Sequence, residues 1–357
     1  MSRTVAYVGS YTDTSDCKGL TLFDVDEEEG VLKRRAEYSV DNASYIAVSH
    51  NHRFLYSITD LGVTSFAIQP DGSLKKLNTA RIRGMRGCHI ALNHDDTYLV
   101  VSGFYDGKVT ILSINEDGSA GKITCSVFLK GPGSIAERNF RPHCRCARFS
   151  RDENYLLVAD SGLDQIKVYR FEKKDGTISP IENLHCRQQS GPCFIRFTKD
   201  GRFFYCIEEL SNTISCYSYQ DGARGPEITL VDSVSTINKR FSDISAAVYF
   251  HFLENDRYIL CANAGENSAG LFERDAETGK LTLLQVLPIS GKYPTSIGIF
   301  PDNRHFFVTN HDSNTISFFL LQPEKKLFTM THRALPIGQP HCSVVVDLPD
   351  VEGLEME

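Results

Sequence analysis

Residues 138–146 read RNFRPHCRC, which places three arginines, a Pro-His step and two cysteines within nine positions. Histidine changes charge near neutral pH, so His143 is a candidate general acid or base. Guanidinium groups grip carboxylate or phosphate in a bidentate fashion, so Arg138, Arg141, Arg145 and Arg148 are candidates for holding an anion. The chemistry this predicts is proton transfer beside a small bound anion. Regular alternation along a strand would put Arg141, His143 and Arg145 on one face and Arg148 on the other. On spacing alone, a surface arginine cluster fits equally well.

Carboxylates form the second set. Glu208 and Glu209 in IEEL follow an apolar run, where a neighbouring segment carries Asp160 and Asp164 in VADSGLD. Glu209 could orient His143 or act as a base itself. The two aspartates could do the same, or merely cap a turn. Cys88, His89, His143, Cys144, His341 and Cys342 raise a metal reading, but no local CxxC or HxxxH spacing supports it, and the expectation is no metal and no cofactor. Glycine-rich phosphate loops, serine nucleophile elbows and dinucleotide fingerprints are absent.

The elements that must position these groups repeat. YIAVSHNHRFLYSITD, HIALNHDDTYLVVSGF, CARFSRDENYLLVADS, FIRFTKDGRFFYCIEE, HFLENDRYILCANA and SIGIFPDNRHFFVTNH each join an apolar strand to an aromatic-rich one through a polar turn. A third alternating strand usually follows, as in DQIKVYRF, and then a hairpin turn such as PDGSLKKL. The equivalent points Arg53, Thr97, Asn154, Arg202, Arg257 and Arg304 lie 44 to 57 residues apart. A four-stranded β repeat of this length is a propeller blade. A seventh unit is split: VAYVGSYT and GLTLFDVD open the chain, and HCSVVVDL near its end supplies an innermost strand. The expected fold is all-β, one seven-bladed β-propeller over residues 1–348 whose ring closes by pairing N- and C-terminal strands in one blade, with an acidic tail at 349–357.

Residues just before each innermost strand should gather at one mouth of the central channel. They are Asn42–Tyr45, Arg86–His89, Arg141–Arg145, Gly191–Phe194, Ser245–His251, Tyr293–Ser296 and Gln339–Cys342. RNFRPHCRC belongs to this set. Composition narrows the partners. A net charge of −7 argues against nucleic acid as the main partner but leaves room for a local positive site. No apolar run approaches a membrane span or a signal sequence, and eleven cysteines without a pairing pattern suit reduced thiols in the cytoplasm. The absence of tryptophan and of WD-type landmarks weakens a scaffold reading.

The repeat, RPHCR, VADSGLDQIKVYRF, EELSNTISCY and ETGKLTLL resemble the lactonase family of seven-bladed propellers, the 6-phosphogluconolactonase and carboxymuconate lactonizing enzyme type, over nearly the whole chain. The resemblance implies a catalytic pair of His143 and Glu209, with His89, His251 and Asn263 at the substrate; Arg138 and Arg145 are expected to supply replacement charge for the substrate's anionic end, and Tyr249 to line the mouth. The family's Pro-His-x-His has Arg145 in place of its second histidine. Its Gly-Pro-Arg-His has become Gly191, Pro192, Cys193 and Phe194, Tyr249 replaces a glutamate, and Ala264 stands where an arginine is usual. The function expected is hydrolysis of a small anionic, phosphorylated or carboxylated sugar lactone such as 6-phosphogluconolactone by a monomer or weak homo-oligomer. The alternatives are a lactonizing lyase or a propeller that binds a metabolite or protein without catalysis.

Overall fold

A computed structural model describes residues 3–131, 141–223, 225–253 and 255–348. The strands form seven antiparallel sheets, six of four strands and one, blade 7, that carries a fifth short strand. Blade 1 unites the two ends of the chain: Pro340–Leu348 is its innermost strand and pairs antiparallel with Arg3–Ser10, followed outward by Gly19–Asp26 and Val31–Ser39. The innermost strands of blades 2 to 7 are Ile46–Val48, His89–Leu92, Cys144–Phe149, Pro192–Phe197, Ala246–Leu253 and Pro294–Ile299. Placing first and last strands in one sheet makes the closing contact a hydrogen-bonded ladder, so the ring has no weak junction between terminal blades.

Local sequence explains the hairpins. The polar turn after each innermost strand needs one residue in the left-handed region, found at His52, Asp96, Glu153, Gly201 and Asn303. Asn, Asp and Gly reach that region most readily, which accounts for the turn composition of the repeats. Neighbouring blades are latched by a recurring bond. The hydroxyl of a second-strand tyrosine donates to the outer hairpin glycine carbonyl of the following blade: Tyr7 to Gly72 at 2.6 Å, Tyr56 to Gly118 at 2.8 Å and Tyr205 to Gly279 at 2.5 Å. Blade 4 differs, because Tyr155 reaches the Asp221 carboxylate of blade 5 at 3.1 Å.

A second regularity governs the inner rim. The ladder between first and second strands skips one residue in five blades: Arg145, Cys193, Val248, Thr295 and His341. Each is an extra residue of a β-bulge, which turns its side chain out of the regular alternation.

The tyrosine latches give a stability test. Tyr56→Phe and Tyr205→Phe each leave a buried carbonyl without its donor and should cost about 1–3 kcal/mol in urea unfolding, with native circular dichroism retained. An unchanged denaturation midpoint in both variants would show that the latch contributes nothing.

Candidate active site at the channel mouth

All five bulged residues, Arg145, Cys193, Val248, Thr295 and His341, line a cavity of about 270 Å³ where the innermost strands begin. Tyr45 and Cys88 complete the set from blades 2 and 3. Tyr11, Phe104 and Tyr105, from loops that follow second strands, and Arg86 and Tyr293 form its upper wall.

Two guanidinium groups enter this space. Arg145 pairs with the Glu209 carboxylate at 2.8 Å and lies 5.4 Å from the Phe104 ring centre. Arg86 pairs with Asp60 at 2.9 Å and lies over Tyr11 at 5.1 Å. Burial holds the His341 imidazole neutral, with its pKa lowered to about 3, and the charges of His311, Arg145 and Arg86 push it the same way. That second contribution reports a positive field inside the cavity, in a chain whose net charge is −7. Nδ1 of His341 is buried with no hydrogen-bond partner. His89 lies at the base against Tyr45, 4.5 Å between ring centres, with its pKa pushed well below the usual histidine value by burial and then by Arg148 and Arg196. Burial raises the thiols of Cys88 and Cys342 to about 12, so both are protonated at neutral pH. They serve as donors between blades: Cys88 to the Cys144 carbonyl at 3.3 Å and Cys342 to that of Ala43 at 3.5 Å.

The sequence expectations divide. Arg145, His89 and Tyr249 line this mouth, and Glu209, outside the lining set, is joined to it by its pairing with Arg145. His143 is not among the lining residues. Its ring stacks on Phe104 at 4.2 Å, its Nδ1 donates to the Phe104 carbonyl at 2.9 Å, and its backbone N–H donates to Asp160. The bulge at Arg145 breaks the alternation that would have aligned the two side chains, and His143 instead braces the Phe104 wall. His251 is likewise absent from this mouth: two positions beyond Tyr249 on the same strand, it lines the opposite opening. Asn263 is fully buried within blade 6, donating to the Thr236 carbonyl and Ser268 hydroxyl, both at 2.9 Å. Arg138 falls outside the described residues.

Asp160 accepts the N–H groups of His143, Gly162 and Leu163, and Asp164 those of Gln189 and Gly191, so both are turn caps. Among the described residues, no three His, Cys, Asp or Glu side chains converge as metal ligands. No helix among them is long and apolar enough to cross a membrane. Sequence reasoning looked for carboxylates after the second strands and passed over Tyr11, Phe104 and Tyr105, although SYT and GFYD occupy equivalent positions in the repeat.

A family model described as Lactonase, 7-bladed beta-propeller matches residues 5–345. The chain belongs to this family. It is 26% identical over 348 residues to a 6-phosphogluconolactonase of Bacillus subtilis, covering 96% of this chain and 98% of that one. A 6-phosphogluconolactonase of Formosa agariphila is 25% identical, covering 88% and 91%. The Pseudomonas aeruginosa periplasmic gluconolactonase shares the fold with a TM-score of 0.89 at 23% identity, covering 97% of this chain and all of that one.

Two outcomes follow from this lactonase geometry. His143→Gln should lower thermal stability, while kcat/KM for any lactone the protein turns over stays within about threefold; a loss of a hundredfold or more would return His143 to the reaction. His341 and His251, each with its pKa lowered to about 3, take up protons in the unfolded chain before the folded one. Their stabilising contribution is therefore complete above about pH 6.5 and is lost as pH falls towards 3, at up to ~1.4 kcal/mol per pH unit for each. Urea midpoints from pH 7 to 4.5 should fall less steeply in His341→Gln than in the parent protein, and equal slopes would show that His341 protonates freely in the folded state.

Proposed function

We propose that the chain hydrolyses a small anionic sugar lactone at this mouth. The observation that carries the reading is the convergence of Arg86 and Arg145 on one cavity beside the Glu209 carboxylate. Ring opening requires a water to lose a proton, an oxyanion to be stabilised at the carbonyl, and a proton to reach the leaving alkoxide. Arg145 is fixed before substrate arrives, so its spare N–H donors can hold the oxyanion without reorganisation. Glu209 takes the proton from the attacking water and returns it to the ring oxygen as the carbon–oxygen bond breaks. Arg86 holds the phosphate or carboxylate, Tyr11, Tyr105 and Tyr293 present ring faces and hydroxyls to the sugar, and Tyr249, whose hydroxyl is held by Arg196, presents its ring. The eleven free thiols fit a reducing compartment, which favours the cytoplasm. The lactonases named among the relatives, at about 26% identity, support the reaction class; 6-phosphogluconolactone is the first substrate to try.

A second reading, a propeller that binds such an anion without turning it over, has one observation in its favour. Among the described residues, the one carboxylate directly paired with Arg145 is engaged by that ion pair, and His341 and His89 are weak bases. A pH-stat assay on δ-lactones of sugars, with and without phosphate, separates the two, because hydrolysis releases acid and binding does not. Arg145→Ala should lower kcat by about 10²–10³-fold. Arg86→Ala should act mainly by raising KM for the phosphorylated substrate. Saturable binding with no acid release above the spontaneous rate would establish the second reading.

A further inference from the structure

The channel has a second opening, at the far ends of the innermost strands, where a cavity of about 430 Å³ is lined by Arg148, Arg151, Arg196, Lys199 and His251. We infer that this opening is a separate binding site for a small polyanion, a molecule carrying two or more phosphate or carboxylate groups. The charge balance is the first ground. Four cationic side chains face a single lining carboxylate, Asp256, which already accepts the backbone N–H of Lys199. None of the four belongs to an ion pair among the described residues. Such a cluster, in a chain carrying seven net negative charges, repels itself unless an anion is bound.

The second ground is an unfilled donor. Nε of Arg148 is buried with no hydrogen-bond partner, and its guanidinium lies 5.5 Å from the Phe194 ring centre, facing no carboxylate. A buried N–H donor without an acceptor is costly, and an oxyanion oxygen would complete this one. Arg196 is held ready: Nε donates to the Phe250 carbonyl at 3.1 Å and Nη2 to the Tyr249 hydroxyl at 2.6 Å. Arg151 donates to the Thr198 carbonyl at 3.2 Å. Three fixed guanidinium groups from blades 4 and 5 thus flank one space, with the exposed Lys199 at its rim. Phe194, which lines the mouth that holds Arg145, has Arg148 and Arg196 of this opening against its ring.

Calorimetric titration with pyrophosphate at 50 and 200 mM salt tests the site. The parent protein and Arg145→Ala should both bind, more weakly at high salt, whereas Arg151→Ala/Lys199→Ala should lose at least tenfold in affinity while keeping its melting temperature. Arg148→Met, which keeps much of the side chain's bulk, should lose as much. Pyrophosphate should bind at least tenfold more tightly than glucose 6-phosphate, which carries a single phosphate; equal or tighter binding of glucose 6-phosphate would overturn the polyanion reading. Absence of binding at millimolar pyrophosphate would overturn the inference. So would binding abolished by Arg145→Ala but untouched by the rim variants, or binding confined to single-stranded RNA.

Discussion

The inner-rim bulge is the constraint on which the site depends. A regular strand pairs every residue with a neighbour and sends side chains alternately to its two faces, both of which pack against adjacent blades. One extra residue, excused from the ladder, turns that side chain into the channel without disturbing the pairs on either side. Arg145, Cys193, Val248, Thr295 and His341 occupy such positions, and Tyr45 and Cys88 reach the same space from blades whose inner strands are shorter. Their chemical types differ widely because the ladder makes no demand on them. Substitution at these positions can therefore change the ligand while leaving the barrel of sheets intact.

Charge within the mouth follows from that placement. A guanidinium at the channel mouth leaves bulk water, and Glu209 behind Arg145 and Asp60 behind Arg86 give each one an opposite charge when the cavity is empty. Each carboxylate engages one edge of a planar group with five donors, so capacity remains for a ligand. The same positive field, added to burial, keeps His341 neutral. An anion entering this space meets a cationic surface whose histidine does not change charge across the physiological range.

Much of this was legible in the sequence, and the failures have one physical origin. The repeat, the split blade and the seven lead-in segments follow from periodicity and turn composition, because they are properties of the ladder. The antiparallel rule brought Glu209 to the same mouth as the neighbouring blade's entry, with His143 as the expected partner, whereas the carboxylate pairs with Arg145. His143 was misjudged because alternation was carried through a bulge that the sequence does not mark: Cys144 and Arg145 have no glycine or proline to signal it. His251 was misjudged in depth. Two residues along a strand advance it about 7 Å, enough to pass from the Tyr249 level to the opposite opening. Asn263 lies on a second strand, where its amide serves the hydrogen bonds of its own blade.

Phe194 shows why the two ends of the channel cannot be treated as unrelated. Its ring is packed by His89 and Tyr249 at the mouth and approached by Arg148 and Arg196 from the other side, with centroid distances of 5.7, 4.8, 5.5 and 5.1 Å. A cation over an aromatic face is attracted by the ring's quadrupole, which offsets part of the cost of its burial. The aromatic side chain therefore does two things at one position. It fills the channel with apolar volume, and it gives Arg148 and Arg196 a surface to rest against. The hydroxyl of Tyr249, which lines the mouth, is in turn held by Arg196 at 2.6 Å. The tilt of Tyr249 at the mouth is thus set by the Arg196 guanidinium, whose own position the Phe194 ring helps to fix.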